Sequence, residues 1–516
     1  MDVELILVLA LAMSMLAIRL AMPVAARVGL VDRPGGHKQH DDHVPLVGGL
    51  GIYAALLTVL GLALLMESRA QPFYGSLLVG ASLLFLVGLI DDMFNLGVRV
   101  RFIAQGIAAS ITALWGGVIL NDFGALVTSD VLVLGAFALP VTIFATAGVI
   151  NALNMSDGID GLSGSLSAVS LVLLAVIAFL GGADAYLNVI LAMLGAVIGF
   201  LVFNMRCCGR KRAKTFMGDA GSTMLGFLFA CLFVGLSQGE ARAMTPVTAL
   251  WFFAVPLYDT TATMIRRMWL AKSPFSADRW HLHHLLLDAG FTVPQGVAAL
   301  SGLQLLLGFI GLAGWYYGVP ERAMFGGFIG LFVLYLYLVS RPWRFVPAMR
   351  QVHRNLDLPV AGVGSVFVGN LPQDSAEEAL RKILAEYLDD YGYELYAQHD
   401  SSGLAFNFAI VHIGSERTTT RVVNRLRGRL AGGESIVVRQ LIPRQPRHDR
   451  RIASRDSLQQ RRRADRRRGD AHPIARHTAN THVNPPAIDS GRIPGLVAAT
   501  AGPAGHEENR RHEPNA

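Results

Sequence analysis

"LVGLIDDMFNLGVRVRF", residues 86–102, carries an apolar run down to two adjacent carboxylates, Asp91 and Asp92, and then to Arg99 and Arg101. The run is long enough for lipid, and its ionisable foot lies where a bilayer would meet water. The whole chain has the same character: of 516 residues, 52% are hydrophobic and 16% charged, with a mean hydropathy of +0.43. Those values are far from an average soluble domain and predict an all-α polytopic membrane protein. Cys207, Cys208 and Cys231 are too few for a disulfide framework.

A helix needs about 20 apolar residues to cross the hydrocarbon core. About eleven runs approach that length, at roughly 3–22, 47–66, 73–90, 102–120, 131–150, 162–180, 186–203, 222–237, 246–264, 296–315 and 323–340. The first opens with Asp2 and Glu4 and not with basic residues, so it reads as an uncleaved span. Lys and Arg collect in alternate loops: Arg27, Arg33 and Lys38; Arg99 and Arg101; Arg206 to Lys214; Arg266, Arg267, Lys272 and Arg279. The other loops hold only Arg69, Arg242 and Arg322. With basic loops cytoplasmic, the amino terminus is outside and the carboxyl terminus inside.

The transmembrane domain is expected over residues 1–345. Residues 365–441 read as strand, helix, strand, strand, helix, strand, from "SVFVGN", "SAEEALRKILAEYLDDYG" and "LAFNFAIVHI", which suggests a small cytoplasmic ferredoxin-like α/β module. "VFVGNLP" looks like the first signature of an RNA-recognition motif. Ser402 and Leu404 spoil the second, and alternation turns Asn407 toward the core, so nucleic acid is disfavoured against a regulatory or assembly role. Residues 442–516, rich in Arg, Pro, Gly and Ala, are expected to be a disordered basic tail suited to an anionic leaflet.

Once the spans are oriented, the chemically capable residues fall on the cytoplasmic side. Asp91 and Asp92 are joined there by "NALNMSDGIDGL", which spaces Asn151, Asn154, Asp157 and Asp160 three apart, and by "KTFMGDAGS" with Asp219. Such groups at membrane depth are costly and mark sites. Clustered carboxylates repel unless a cation joins them, and oxygen donors suit Mg²⁺, with Mn²⁺ as an alternative. Asp219 lies between glycines just before a helix start, where backbone N–H groups and the helix dipole favour phosphate. His281, His283 and His284 lack zinc spacing; beside Arg279 they suit a diphosphate.

These motifs, in order, resemble the polyprenyl-phosphate N-acetylhexosamine 1-phosphate transferases, the MraY–WecA family. The likeness covers about residues 1–345 and rests on D-D-x-x-x-L at 91–96, N-x-x-N-x-x-D-G-x-D-G-L at 151–162, F-M-G-D-x-G-S at 216–222 and H-x-H-H at 281–284. Lys38, His40, Pro45, Gly48 and Gly49 also look like the family's opening signature. "HLHH" after "DR" is similar to the WecA branch, which uses UDP-N-acetylglucosamine. The resemblance implies transfer of N-acetylglucosamine 1-phosphate to undecaprenyl phosphate with release of UMP. That is the initiating step of lipid-linked envelope polysaccharide synthesis at the bacterial inner membrane. It also implies Mg²⁺ on Asp219 and Asn154, with Asp91, Asp92 and Asp160 in the catalytic set, one of the first pair as base near the lipid phosphate. Lys38, Asn151, Asp157, Asn204, Phe216 and Arg279 would bind substrate, Phe216 by stacking on uracil, and the three histidines would hold the diphosphate. A different UDP-N-acetylhexosamine, a multi-span transporter and a homodimer stay open.

Overall fold

A computed structural model gives the fold and describes residues 2–32, 44–66, 71–207, 210, 212–240, 242–271, 273–274, 280–356, 364–371, 375–385, 391–399, 405–413, 422, 426, 430–431, 434–435, 437–441, 475–478 and 496–497. The chain divides into two compact units, Met1–Val352 and His353–Ala516.

The first unit is helical: α1 (Val3–Val28), α2 (Gly48–Met66), α3 (Gln71–Phe94), α4 (Val98–Leu114), α5 (Ala138–Ser156), α6 (Leu162–Leu180), α7 (Asp184–Asn204), α8 (Gly218–Ser237), α9 (Pro246–Phe252), α10 (Ala254–Trp269), α11 (Leu282–Asp288), α12 (Val293–Tyr316), α13 (Glu321–Val339) and most of α14 (Pro342–Asn355), whose last residues fall past the division at Val352. A two-residue strand pair, β1 (Val31–Asp32) with β2 (Val44–Pro45), lies between α1 and α2. Among the described residues nine helices are long and apolar enough to span a bilayer: α1, α2, α3, α5 with its leading turn, α6, α7, α8, α12 and α13. The protein is a multi-pass membrane protein.

The other two of the eleven expected runs fold differently. The run at 102–120 stops as helix at Leu114, before Gly116 and Gly117, the second at φ +71. The run at 246–264 is broken at Phe253, with φ −130 and ψ 25, between α9 and α10. The break is repaired by polar side chains. Phe252 O accepts from Ser170 Oγ and Gln304 Nε2, both at 2.7 Å, and Gln304 Oε1 accepts from Val255 N at 2.9 Å. Backbone freed at membrane depth must find partners inside the protein, and here it does.

Burial sorts the bundle. The apolar window of α8 is 94% buried, against 22% for α1 and for α13. So α8 is a central post, packed on α3, α5 and α2, while α1 turns Leu5, Val8, Leu16 and Leu20 outward. Gly88 on α3 makes a close approach to α8. A Cβ there would lie 2.5 Å from Ala220 Cα, so only glycine lets the start of α8 reach the end of α3.

In the second unit, β3 (Gly364–Leu371), α15 (Ala376–Ala385), β4 (Tyr391–His399), β5 (Ala405–Ile413), β6 (Leu430–Ala431), β7 (Glu434–Ser435) and β8 (Val437–Leu441) follow in order. The antiparallel sheet runs β4-β5-β3-β8. Leu380 and Leu384 of α15 share a core with Val366, Val368, Ala409 and Val411, and Asn407 is buried as alternation predicts. Ser402 and Leu404 lie outside the described residues. Of the tail, only β9 (Ala475–Thr478) and β10 (Leu496–Val497), both paired with β4, are described.

Candidate active site

Three helix ends meet at one edge of the bundle: the last turn of α3, the last turn of α5 and the first of α8. Asp92, near the end of α3, accepts from Asp219 N at 2.8 Å and Ala220 N at 3.1 Å. It therefore caps α8 from a different helix, and its charge suits the positive end of that dipole. Gly218 has φ +74, and a Cβ there would sit 2.5 Å from Asp92 Oδ2, so the G-D pair is a requirement of the cap. Asp91 faces the other way and accepts from Leu96 N at 2.6 Å and Arg101 Nη1 at 3.1 Å. The final leucine of the D-D-x-x-x-L string thus serves through its backbone.

Asn154, on the last turn of α5, donates from Nδ2 to Asp219 Oδ1 at 2.6 Å and Ser222 Oγ at 2.9 Å. Asp157 caps the same helix and accepts from Ser163 Oγ at 2.5 Å. Burial pushes its carboxyl up to about 6; Ser163 opposes the rise, and the negative charges of Asp219 and Asp160 add to it. Asp160 accepts from Arg206 Nε at 2.6 Å and Ala213 N at 3.1 Å, so it anchors the basic insert after α7. Asn204, 3% exposed, accepts from Gly161 N at 2.6 Å and donates to Thr215 O at 2.8 Å. It ties the "DGIDGL" loop to the strand-like approach to α8. Asn151 donates to Gln105 Oε1 and to Ala147 O. The start of α2 docks on the same approach, with Gly48 N on Phe216 O at 2.9 Å, Gly49 N on Met217 O at 3.0 Å, and Phe216 N on Pro45 O at 3.0 Å.

The histidines enter from α11. His281 and His283 are nearly parallel with ring centroids 5.5 Å apart, and His283 and His284 are 4.2 Å apart. His283 is 2% exposed and its Nε2 is buried with no hydrogen-bond partner among the described residues. Burial, and then the neighbouring His284, holds its imidazole well below the usual histidine range. That nitrogen faces Gly158, where an added Cβ would collide with it. The second loop and the histidine helix are therefore interlocked. Gly158→Ala should introduce about 1–3 kcal/mol of overpacking and lower turnover at least about tenfold, which an assay normalised to folded protein would read. Wild-type turnover in that variant would show that the interlock does not matter.

The structure brings together Asp91, Asp92, Asn154, Asp157 and Asp219, and joins His283 to them through Gly158. Asp160 and Asn204 also hold loops: both donors to Asp160 fall on Oδ2, while the Asn204 amide is engaged through its oxygen and its nitrogen. Both carboxylates expected to supply a base are likewise engaged, Asp92 on α8 and Asp91 on Arg101. Lys38 and Arg279 lie outside the described residues. The sequence reading missed Asp259, which accepts from His281 Nδ1 at 2.8 Å, together with Tyr335 and Ser163. No motif flags Asp259; the one signal was an acid inside an apolar run. Among the described residues, no three His, Cys, Asp or Glu side chains form a metal cage by themselves.

Fold and site together define a polytopic membrane protein with a carboxylate, amide and imidazole centre at one end of its helix bundle. The model of glycosyl transferase family 4 matches residues 74–237. The chain belongs to this family. It is 37% identical over 337 residues to the undecaprenyl-phosphate alpha-N-acetylglucosaminyl 1-phosphate transferase of Escherichia coli O157:H7, covering 65% of this chain and 90% of that protein. The Yersinia pestis protein of the same name is 37% identical over 357 residues, 69% of this chain and 96% of its own. That of Haemophilus influenzae is 35% identical over 332 residues, 64% and 92%.

Proposed function

We propose that this protein transfers N-acetylglucosamine 1-phosphate from UDP-N-acetylglucosamine to undecaprenyl phosphate and releases UMP. The observation that carries the reading is the triple junction of Asp92, Asp219 and Asn154, where three separated motifs converge on one helix start. An acceptor phosphate oxygen attacks the sugar-linked phosphorus as the phosphoanhydride to UMP breaks, so one anhydride replaces another and no ATP loop is needed. One substrate is charged and soluble and the other is tethered in lipid, which calls for a site at a helix-bundle edge. Transporters instead keep such groups near the midplane.

Mg²⁺ fits the donors. Asn154 turns its Nδ2 to Asp219 Oδ1 and Ser222, which leaves the amide oxygen and the second Asp219 oxygen without a hydrogen bond among the described residues. Two hard oxygens with substrate phosphates are what Mg²⁺ ordinarily takes, so a complete protein cage is not expected. Asp219 and Asn154 would hold the ion, which when bound supplies charge neutralisation for phosphoryl transfer. The chain's own residues do the rest: Asp92 fixes Asp219, Asn204 and Asp160 set the loops, and the histidines face the diphosphate.

The distribution of Lys and Arg supports an outside amino terminus and a cytoplasmic site in a bacterial inner membrane. The β4-β5-β3-β8 order supports a ferredoxin-like reading of the second unit. The test is purified protein with Mg²⁺, polyprenyl phosphate and a panel of UDP-N-acetylhexosamines. UMP is expected fastest with UDP-N-acetylglucosamine; a faster relative would change the sugar, and no UMP from any donor would sink the reading.

A further inference from the structure

Asp259 lies on α10, 22 residues before His281 and outside every motif that made the sequence conspicuous. It is 5% exposed. Its carboxylate accepts three hydrogen bonds, each 2.8 Å: His281 Nδ1 on Oδ2, and Leu282 N and Tyr335 O–H on Oδ1. A carboxylate that already accepts from Leu282 and Tyr335 faces His281 as a third acceptor contact, so Nδ1 carries its proton whatever the charge of the ring. Nε2 is then the one nitrogen at which His281 can exchange a proton or meet a phosphate oxygen. Leu282 N belongs to the first turn of α11, so the same carboxylate pins the helix that carries His283 and His284. Tyr335 comes from α13, and the oxygen it meets is the one that receives Leu282.

We infer that Asp259 is a positioning residue of the transfer reaction, holding His281 as the Nδ1–H tautomer with Nε2 presented to the donor diphosphate. The inference rests on the transferase reading above. His281 would touch the reacting phosphates; Asp259 acts through it. No covalent step is assigned to either residue, and a carboxylate in this place needs no metal or second ligand to do its work.

The test is a double-mutant cycle on the full-length protein, read as UMP release per folded molecule, with thermal unfolding in detergent as the folding control. Asp259→Asn, which presents one acceptor where three donors converge, is expected to lower kcat about a hundredfold with KM for the UDP-sugar within about threefold. His281→Ala should lose a similar factor. The double variant should be slower than His281→Ala alone by far less than a hundredfold, since the part of the effect that runs through His281 disappears with it and only the hold on α11 through Leu282 N remains. Asp259→Glu should recover a large part of the Asn loss. Losses that multiply in the double variant, or wild-type kcat in Asp259→Asn, would overturn the inference. If Asp259→Asn does not fold, Tyr335→Phe takes its place: a drop of about threefold in the wild type that vanishes in the His281→Ala background supports the inference, and an undiminished drop there overturns it. An active wild type with an additive cycle sinks this inference alone, whereas a wild type that releases no UMP sinks the functional reading and this one with it.

Discussion

Asp219→Asn should abolish turnover, by roughly a thousandfold or more, in a protein that still folds. The side chain is isosteric, so α8 keeps its start. An amide oxygen can still accept from Asn154 Nδ2, the bond that is 2.6 Å in the structure. What the change removes is the formal charge, and with it the hard anionic oxygen that a divalent cation and two repelling phosphate groups require. A thermal unfolding midpoint near the wild-type value beside absent UMP release is the expected pair of results. Wild-type turnover would remove Asp219 from the reaction altogether.

Asp92→Asn should be the second most damaging single change, for a different reason. The carboxylate receives two backbone donors, Asp219 N and Ala220 N, one on each oxygen. A carboxamide can accept one of them and must turn its own N–H₂ toward the other. Loss of a helix cap costs about 1 kcal/mol, which a modest drop in the unfolding midpoint would register. The larger effect is on geometry: a shift of about 1 Å in Asp219 is enough for a hundredfold loss of rate. Asp92→Asn is therefore expected to lose activity far beyond its loss of stability. Equal losses in both would make Asp92 an ordinary cap.

The contrast between these two acids marks what the sequence reveals. Apolar runs of about the right length give most spans directly, because lipid and a buried core ask for the same residues. The same property hides the break at Phe253, since hydropathy does not register a helix whose backbone is rescued by Ser170 and Gln304 from distant helices. For the site, motif spacing identifies the residues that gather, yet it does not say which face reactants and which hold loops. Asp160, Asn204 and Asp219 look alike in one dimension, and only the positions of Arg206, Ala213, Gly161 and Thr215 show that the first two also tie loops together. Asp259 is the opposite case, an isolated acid whose partners lie 22 and 76 residues away.

The burial contrast among the helices has a consequence for where the protein can operate. A bilayer that thickens or thins acts on surfaces that touch acyl chains, and helices answer such mismatch by tilting. That strain falls on α1 and α13, whose side chains form the perimeter, and scarcely on α8, which has almost no lipid contact. Asp219, riding on the sheltered member, keeps its station while the periphery adjusts. Its partners Asn154 and Asp92 sit on helices of intermediate burial, 39% and 56%, so mismatch reaches Asp219 only through them.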